Sequence, residues 1–509
     1  MILNGTDESS TERATPADGG ATLDDLFRRM AAARPDALAL VDPPDRASFT
    51  DGAPRSLTWA EADCVVSATA NLLRSLGLSP GAIVALQLPN VAEGVLTLLG
   101  VLRAGLIAAP LPLLWRQAEA CAALGRVSAR ALVSCRRVGE VDHADLAMHV
   151  AAETFAIRFV CAFGNPVPDG IIPLDEVFDG ALAAASPSLE TSQDAAARTA
   201  VVTFDMTADG LVPIARSHRE LIAAGEAITE AAGLTAGATL LGALLTSSFA
   251  GLATTIVPWL LAGGTLRLHQ PSEPATLLGQ RWDAAVLPGP LLARLVEAGL
   301  LHPFAPQTVL AVWRAPERMP AAVAWHGDAR IVDVPVFGEI GLLALPRGSE
   351  GASAQFPAPT SAGSAAVELM RSTSGTLALR GTMVPAHPCP PGSPRGPQFN
   401  LAVGPDGFVD TRFPCHMDRT TGRVVLDGPP AGVVSVGGYR FAVRDLQDLI
   451  TPIDSDGAVA PLPDAIAGHR LAGVGGDRAA IHDKLVEQGA SPLVAGAFRE
   501  RRAGRASAA

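Results

Sequence analysis

His387-Pro388-Cys389 and Cys415-His416 place two sulfurs and two imidazoles in short groups that could supply a tetrahedral zinc site. Their spacing matches no common zinc module, and Pro388 stiffens the first group, so no metal is expected. The other cysteines, Cys64, Cys121, Cys135 and Cys161, are scattered without a C-x-x-C pair. That usage reads as reduced thiols in a cytoplasmic chain. Ser217-His218 sets a hydroxyl beside an imidazole, but no G-x-S-x-G elbow or comparable nucleophile motif accompanies it. Lysine occurs once, as Lys484, among 39 lysines and arginines. It lies in a helical run, Ala480 to Gln488, that reads as a solvated face.

The 509 residues are 48% hydrophobic and 18% charged, the composition of a globular chain with more than one core. A net charge of −12 excludes a groove that neutralises nucleic-acid phosphates. Residues 1–20 are polar and read as disordered, with Asp7, Glu8 and Glu12 where a secretion signal needs an apolar run. Leu240 to Ala262 is long enough to test as a membrane span. Its Thr246, Ser247, Ser248 and Pro258 favour a buried helix, followed by a turn at Gly263-Gly264 and a short strand at Thr265 to Leu268. No transmembrane segment is expected.

These residues must be positioned by alternating elements. Thr22 caps a helix whose Leu23, Leu26, Phe27 and Met30 recur at helical spacing, and Pro35-Asp36 stops it. A second amphipathic helix follows Leu57-Thr58-Trp59 and ends at Gly77. Then come a strand from Ile83 to Leu88, a helix from Ala92 to Ala104 and a strand toward Pro110, the pattern of a parallel α/β layer. The alternation returns near residues 131, 200, 266, 284 and 309. From Arg347 to Pro397 the composition turns to Gly, Ser, Pro and Ala around short strands, which suggests a small β subdomain. The turn-rich Asp427 to Gly432 marks a boundary.

Several ordered stretches together resemble the acyl-CoA synthetase branch of the adenylate-forming, AMP-binding superfamily. They include Leu57-Thr58-Trp59-Ala60-Glu61, Leu76-Gly77-Leu78-Ser79-Pro80-Gly81, Val84 to Asn90, Leu98 to Gly105, Ser217-His218-Arg219-Glu220-Leu221, Leu379-Arg380-Gly381, Asp406-Gly407-Phe408 and Gly437-Gly438-Tyr439-Arg440. The resemblance implies an α/β fold: a large N-terminal domain over 21–431, then a small α+β C-terminal domain, shortened here to 432–509. The large domain would comprise α/β subdomains to about 345 and a β-barrel over 346–431. Relatives use ATP and Mg²⁺ to form an acyl-adenylate and pass the acyl group to a thiol, usually that of CoA, after the small domain rotates. The resemblance also accounts for Ser217-His218 as a helix N-terminus.

Carried over residue by residue, the resemblance leaves most of the ATP-handling groups missing. The family loop T-S-G-T-T-G-x-P-K-G corresponds to Phe204 to Pro213, with Val212 at the lysine and only Thr207 and Gly210 left as remnants. Asp205 and Asp209 would repel a phosphate chain. By its own residues the segment reads as an ordinary strand-to-helix turn. The Y-G-x-T-E motif is Phe337-Gly338-Glu339-Ile340-Gly341, which keeps the aromatic and first glycine but loses the threonine and the metal-binding glutamate. The ribose segment T-G-D is Thr411-Arg412-Phe413. The arginine and hinge aspartate of G-R-x-x-D are absent from Gly428 to Gly432, and Ala497 stands at the C-terminal lysine. Gly437, Gly438, Tyr439 and Arg440 match the loop that faces the pantetheine tunnel in relatives; by themselves they fit a plain hairpin turn equally well.

Three readings follow. The first is a catalytically degenerate member that binds a hydrophobic carboxylic acid, its CoA thioester or a protein partner. Its apolar pocket would be walled by Leu240 to Leu261 and Ala284 to Leu295. Ser248 and Gly251 are placed on that wall, Ser248 where many relatives carry a histidine or an aromatic. The second is a ligase with a rebuilt site in which Arg216, Arg412 and Arg440 hold phosphates. The third is a different reaction, hydrolysis or transfer, on the acyl pocket.

Overall fold

The computed structural model describes residues 20–179, 194–270, 282–297, 308–321, 323–359, 367–393, 401–464 and 467–499. The polar run 1–19 lies outside the described residues, as does Ala366.

Local signals start the helices where the side chains indicate. Thr22 accepts the Asp25 N–H at 3.1 Å while the Asp25 carboxylate takes the Thr22 N–H at 2.8 Å, opening helix Leu23–Ala33. Thr58 with Glu61 opens Trp59–Ser75 in the same way, and Ser217 with Glu220 opens His218–Ala232. The apolar faces of these helices converge. Phe27 and Trp59 lie 5.4 Å apart, and Trp59 stacks on Trp259 at 4.9 Å. Helix Ala92–Arg103 is buried along its whole length.

Among the described residues, one seven-stranded sheet runs in the order Gly210–Ser217, Thr199–Thr207, Ile107–Pro110, Ile83–Leu86, Ala131–Cys135, Phe159–Phe163, Ile172–Pro173. It is parallel except for its first, antiparallel edge strand. A second, mixed sheet orders Gly341–Leu342, Arg330–Phe337, Thr308–Trp313, Ala284–Pro288, Leu240–Gly242, Leu266–Leu268, Leu38–Val41 and Ser56–Thr58, with Leu345–Pro346 beside Arg330–Phe337. The inner strands of both sheets are almost wholly apolar, as expected where both faces are covered.

Among the described residues there are also a two-stranded ribbon, Arg137–Val138 with Val141–Asp142, and two four-stranded sheets. Glu368–Arg371, Thr376–Arg380, Val409–Met417 and Val424–Leu426 form an antiparallel sheet. Its outer strands do not pair with each other among the described residues. The last sheet orders Tyr439–Ala442, Val433–Val436, Gly468–Val474 and Ala458–Asp464. With helices Val443–Ile450 and Arg478–Glu487 it encloses its own core around Phe441, Ile450, Leu485 and Phe498.

The stretch from Leu240 contains the expected helix, turn and strand, but its first residues form another strand and the helix starts later. It opens with strand Leu240–Gly242, turns helical over Phe249–Ala262 with a π turn at Leu252–Ile256, and re-enters the sheet at Leu266–Leu268. A continuous apolar run has no period to separate a buried strand from a buried helix. Among the described residues no helix is long and apolar enough to cross a membrane.

Candidate functional site

The segment Phe204 to Pro213 is neither a phosphate loop nor a strand-to-helix turn. Strands Thr199–Thr207 and Gly210–Ser217 pair to their tips, with Thr207 opposite Gly210 and Asp205 opposite Val212. Only Ala208 and Asp209 remain in the turn, and Gly210 takes φ +105°, a conformation glycine adopts without strain. The Thr207 hydroxyl donates to the Gly210 carbonyl at 2.9 Å and accepts the Asp209 N–H at 3.2 Å. Backbone that a phosphate loop would leave open is therefore committed to a strand ladder. Val212 is buried in the main core.

Next to the hairpin, Asp205 gathers three partners. Its carboxylate accepts the Met206 N–H at 2.8 Å and the Glu339 N–H at 3.2 Å, and it pairs with the Arg440 guanidinium. Gly338, at φ +59°, fits against this pair and leaves no room for a β-carbon. Glu339 does not face solvent or a metal position. Its Oε2 accepts the Phe249 N–H at 2.6 Å and its Oε1 lies 3.3 Å from Arg314 Nη2. Burial pushes the Glu339 carboxyl above the usual range; Arg314 opposes that shift and Asp205 adds to it.

The aromatic that would meet an adenine is occupied by protein. Phe337 packs against Phe413 at 5.7 Å, edge to face, and against Phe356 at 5.9 Å. Phe413 is turned inward by a bulge in Val409–Met417, where Arg412 takes φ +64° and donates its N–H to Asp410. The Thr411 hydroxyl donates to the Leu377 carbonyl at 2.7 Å. Arg216, a candidate phosphate ligand, is fully buried, and its guanidinium donates to the carbonyls of Glu339 at 2.6 Å and Ile340 at 3.1 Å. It lies 3.8 Å over the Phe249 ring, and burial lowers its pKa to about 10.

Thr207, Thr411, Arg412 and Arg440 do converge, together with Asp205 and Val212. The cavity they line is about 20 Å³, close to the minimum for one water. ATP and Mg²⁺ do not fit these residues: the cradle is zipped, its charge is answered internally, and the space is filled. A second cavity of about 140 Å³ is lined by Ser248, Glu339, Gly438, Tyr439 and Arg440. Ser248 also caps the following turn by accepting the Gly251 N–H at 3.3 Å. Gly251 faces the Leu245 backbone, too close for any side chain, so it is required by the packing of the chain there. A third cavity, of about 450 Å³, lies between Pro288 to Ala293, Val312 to Arg314 and the Gly437-Gly438 turn.

Of the four zinc candidates, Cys389 is exposed, Cys415 is buried, and His416 Nδ1 is paired with Asp427 at 2.6 Å. Among the described residues no group of three or more such side chains could hold a metal.

Residues 27–185 match the model of the AMP-binding enzyme family. Over 166 residues the chain is 31% identical to the salicyl-AMP ligase / salicyl-S-ArCP synthetase of Mycobacterium tuberculosis, covering 32% of this chain and 28% of that one. It is 28% identical over 187 residues to the medium-chain fatty-acid–CoA ligase of Escherichia coli, covering 36% and 28%. The chain thus spans little more than a quarter of either relative's length. The apo structure of MbtA from Mycobacterium smegmatis shares the fold at a TM-score of 0.64 and 22% identity, over 95% of this chain and 90% of that one. Residues 27–185 are thus similar in sequence to the AMP-binding enzyme family, and the chain shares the fold of the MbtA structure.

Within that fold, sequence reasoning singled out the segment Phe204 to Pro213, read there as a strand-to-helix turn, together with the Phe337 segment and the Gly437 to Arg440 turn, and it missed what joins them. Asp205 was read only as a repulsive charge. Its partner, Arg440, is 235 positions away, and no local pattern links them. Arg314 and Trp313, which line the 450 Å³ cavity, carried no motif signal.

Proposed function

We propose that this chain is an acyl-CoA synthetase-like protein that no longer forms adenylates and instead binds a hydrophobic carboxylic acid or its CoA thioester. The observation that carries the first half is the 20 Å³ left among Thr207, Thr411, Arg412 and Arg440. A nucleotide would need the hairpin to unzip, Phe413 to leave the core and Arg440 to leave Asp205. The second half rests on the 450 Å³ cavity, whose walls include Leu244, Pro290, Leu291, Val312 and Trp313. That volume falls in the usual range for small-molecule sites, and apolar walls bind through buried surface without any ATP chemistry. Relatives are named for aryl and fatty acids, which agrees with an apolar acid as ligand. The free cysteines fit a reducing, cytoplasmic setting.

Isothermal titration with ATP·Mg²⁺ and acid-dependent pyrophosphate exchange test the first half, with no millimolar-or-tighter binding and no exchange expected. Robust exchange with any acid would return Arg412 as a phosphate ligand in a rebuilt ligase. A thermal-shift screen of fatty and aromatic acids and their thioesters tests the second half. If no compound raises Tm, a scaffold for a protein partner becomes the better reading.

A further inference from the structure

The small C-terminal sheet is tied to the rest of the chain at points that do not belong to one continuous loop. Arg440, on strand Tyr439–Ala442, reaches Asp205 on strand Thr199–Thr207, and the two side chains are only 11% and 8% exposed. Arg440 also lies 5.7 Å from the Phe413 ring. Next to it, Tyr439 packs against the core that contains Trp115, Phe204 and Leu211, and its hydroxyl accepts the Leu114 N–H at 3.4 Å. On another edge, Glu119 accepts the Ser491 N–H at 2.8 Å and Ala118 donates to the Gly489 carbonyl at 3.3 Å. Arg318 donates to the carbonyls of Asp464 and Gly468. The connecting Asp427 to Gly432 carries Pro429 and Pro430, and Gly432 lies against Ala208 at the hairpin tip.

These contacts differ in kind. The backbone bonds and the Tyr439 packing can be exchanged for water as the unit lifts away. Asp205 and Arg440 cannot separate so freely while the site stays closed, because each would be left as a nearly dry, unpaired charge. We propose that the Asp205–Arg440 pair is a latch that holds the C-terminal unit in one docked orientation. The docking has a consequence for ligand binding, because Ser435, Gly437, Gly438, Ala467 and Gly468 form one wall of the 450 Å³ cavity. The latch therefore maintains a binding site that exists only while the unit is docked. This last step rests on the reading of that cavity as the ligand site; the latch itself does not.

Hydrogen exchange of the full chain separates the two. Arg440→Met and Asp205→Asn are expected to speed amide exchange in residues 433–443 and 489–491 at least tenfold, while strands Ile83–Leu86 and Ile107–Pro110 stay protected as an internal control for folding. Arg440→Lys, which keeps the charge, is expected to retain most of the protection. Exchange within twofold of the parent in both neutral variants overturns the latch, as does equal loss in Arg440→Lys and Arg440→Met. If Arg440→Met fails to fold, Asp205→Asn and Arg440→Lys still decide it. Decanoate is the ligand probe, with its apparent Kd expected to weaken at least tenfold in Arg440→Met. If the parent itself binds no decanoate, the cavity reading is in question while the exchange result stands on its own. Unchanged affinity in a variant that has lost protection would uncouple cavity and latch.

Discussion

The region from Phe27 to about residue 179 and the region around the hairpin, the Phe337 turn and Phe413 share one fold and have opposite relations to family chemistry. In the first, buried strands and the fully buried helix Ala92–Arg103 carry the apolar patterning that the family model detects. In the second, side chains stand where the resemblance expects ligands for ATP, and each has been absorbed into packing: Val212 and Ile340 in the core, Phe413 against Phe337. Polar groups at a ligand site work against local packing, so replacing them with apolar ones costs the fold nothing and adds burial. On the proposed reading, packing order and chemical competence are separable properties of this architecture.

The largest expected effect comes from trying to reverse that absorption. Phe413→Asp places an acid where the resemblance expects the ribose aspartate and should cost at least about 3 kcal/mol in urea unfolding, from lost packing and an unpaired carboxylate beside Phe337. A variant as stable as the parent would mean that the two regions are not packed alike. Val212→Lys places a lysine where the resemblance expects that of the phosphate loop, yet the ladder sets it opposite Asp205. Pyrophosphate exchange should stay at background, with the new lysine competing with Arg440 for Asp205. Turnover from that single change would show that the residue matching is wrong.

A smaller effect asks whether the two regions unfold together. Burial lowers His143, in the first region, and His218, beside the hairpin, to a pKa of about 4. His218 Nδ1 accepts the Leu23 N–H at 3.2 Å, which requires a neutral ring. Both groups are neutral in the fold and charge on unfolding, so their contribution is present above the unfolded value near 6.5 and is lost as pH falls toward 4. Stability should drop by about 1.4 kcal/mol per pH unit for each histidine in that window. His218→Gln, whose carbonyl oxygen is still an acceptor, should remove one share of the slope in a single unfolding transition. Two separated transitions would split the regions into independent units.

Much of the first region was legible because amphipathic helices and caps announce themselves, as Thr22 with Asp25 and Thr58 with Glu61 do. Leu240 to Gly242 was not, since an unbroken apolar run fits strand and helix alike. The closure of the phosphate loop into a hairpin was half legible: the glycines and lysine were visibly gone, but pairing through Thr207 and Gly210 depends on register with the opposite strand. The pairing of Asp205 with Arg440 was illegible in principle, because only the docking of the last sheet brings them together.

The smallest effect concerns Glu339, a buried acid beside Asp205 in the second region. Glu339 is almost fully buried, and desolvation raises its pKa more than Arg314 lowers it. A carboxyl with a raised folded-state value favours the protonated form, so its contribution is present below the unfolded carboxylate range and is lost as pH rises through the raised value. At neutral pH the ionised side chain is then a standing cost. Glu339→Gln keeps an acceptor for the Phe249 N–H and removes the charge, at the expense of the Arg314 contact, which is partly exposed and therefore worth little. The expected result is a gain of up to about 1 kcal/mol at pH 8 that fades at pH 5, read from urea midpoints at the two values. An equal loss at both would make the Glu339–Arg314 pair a net support of the fold. In that case the second region would still depend on polar groups from its site, and the contrast with the first would be one of degree.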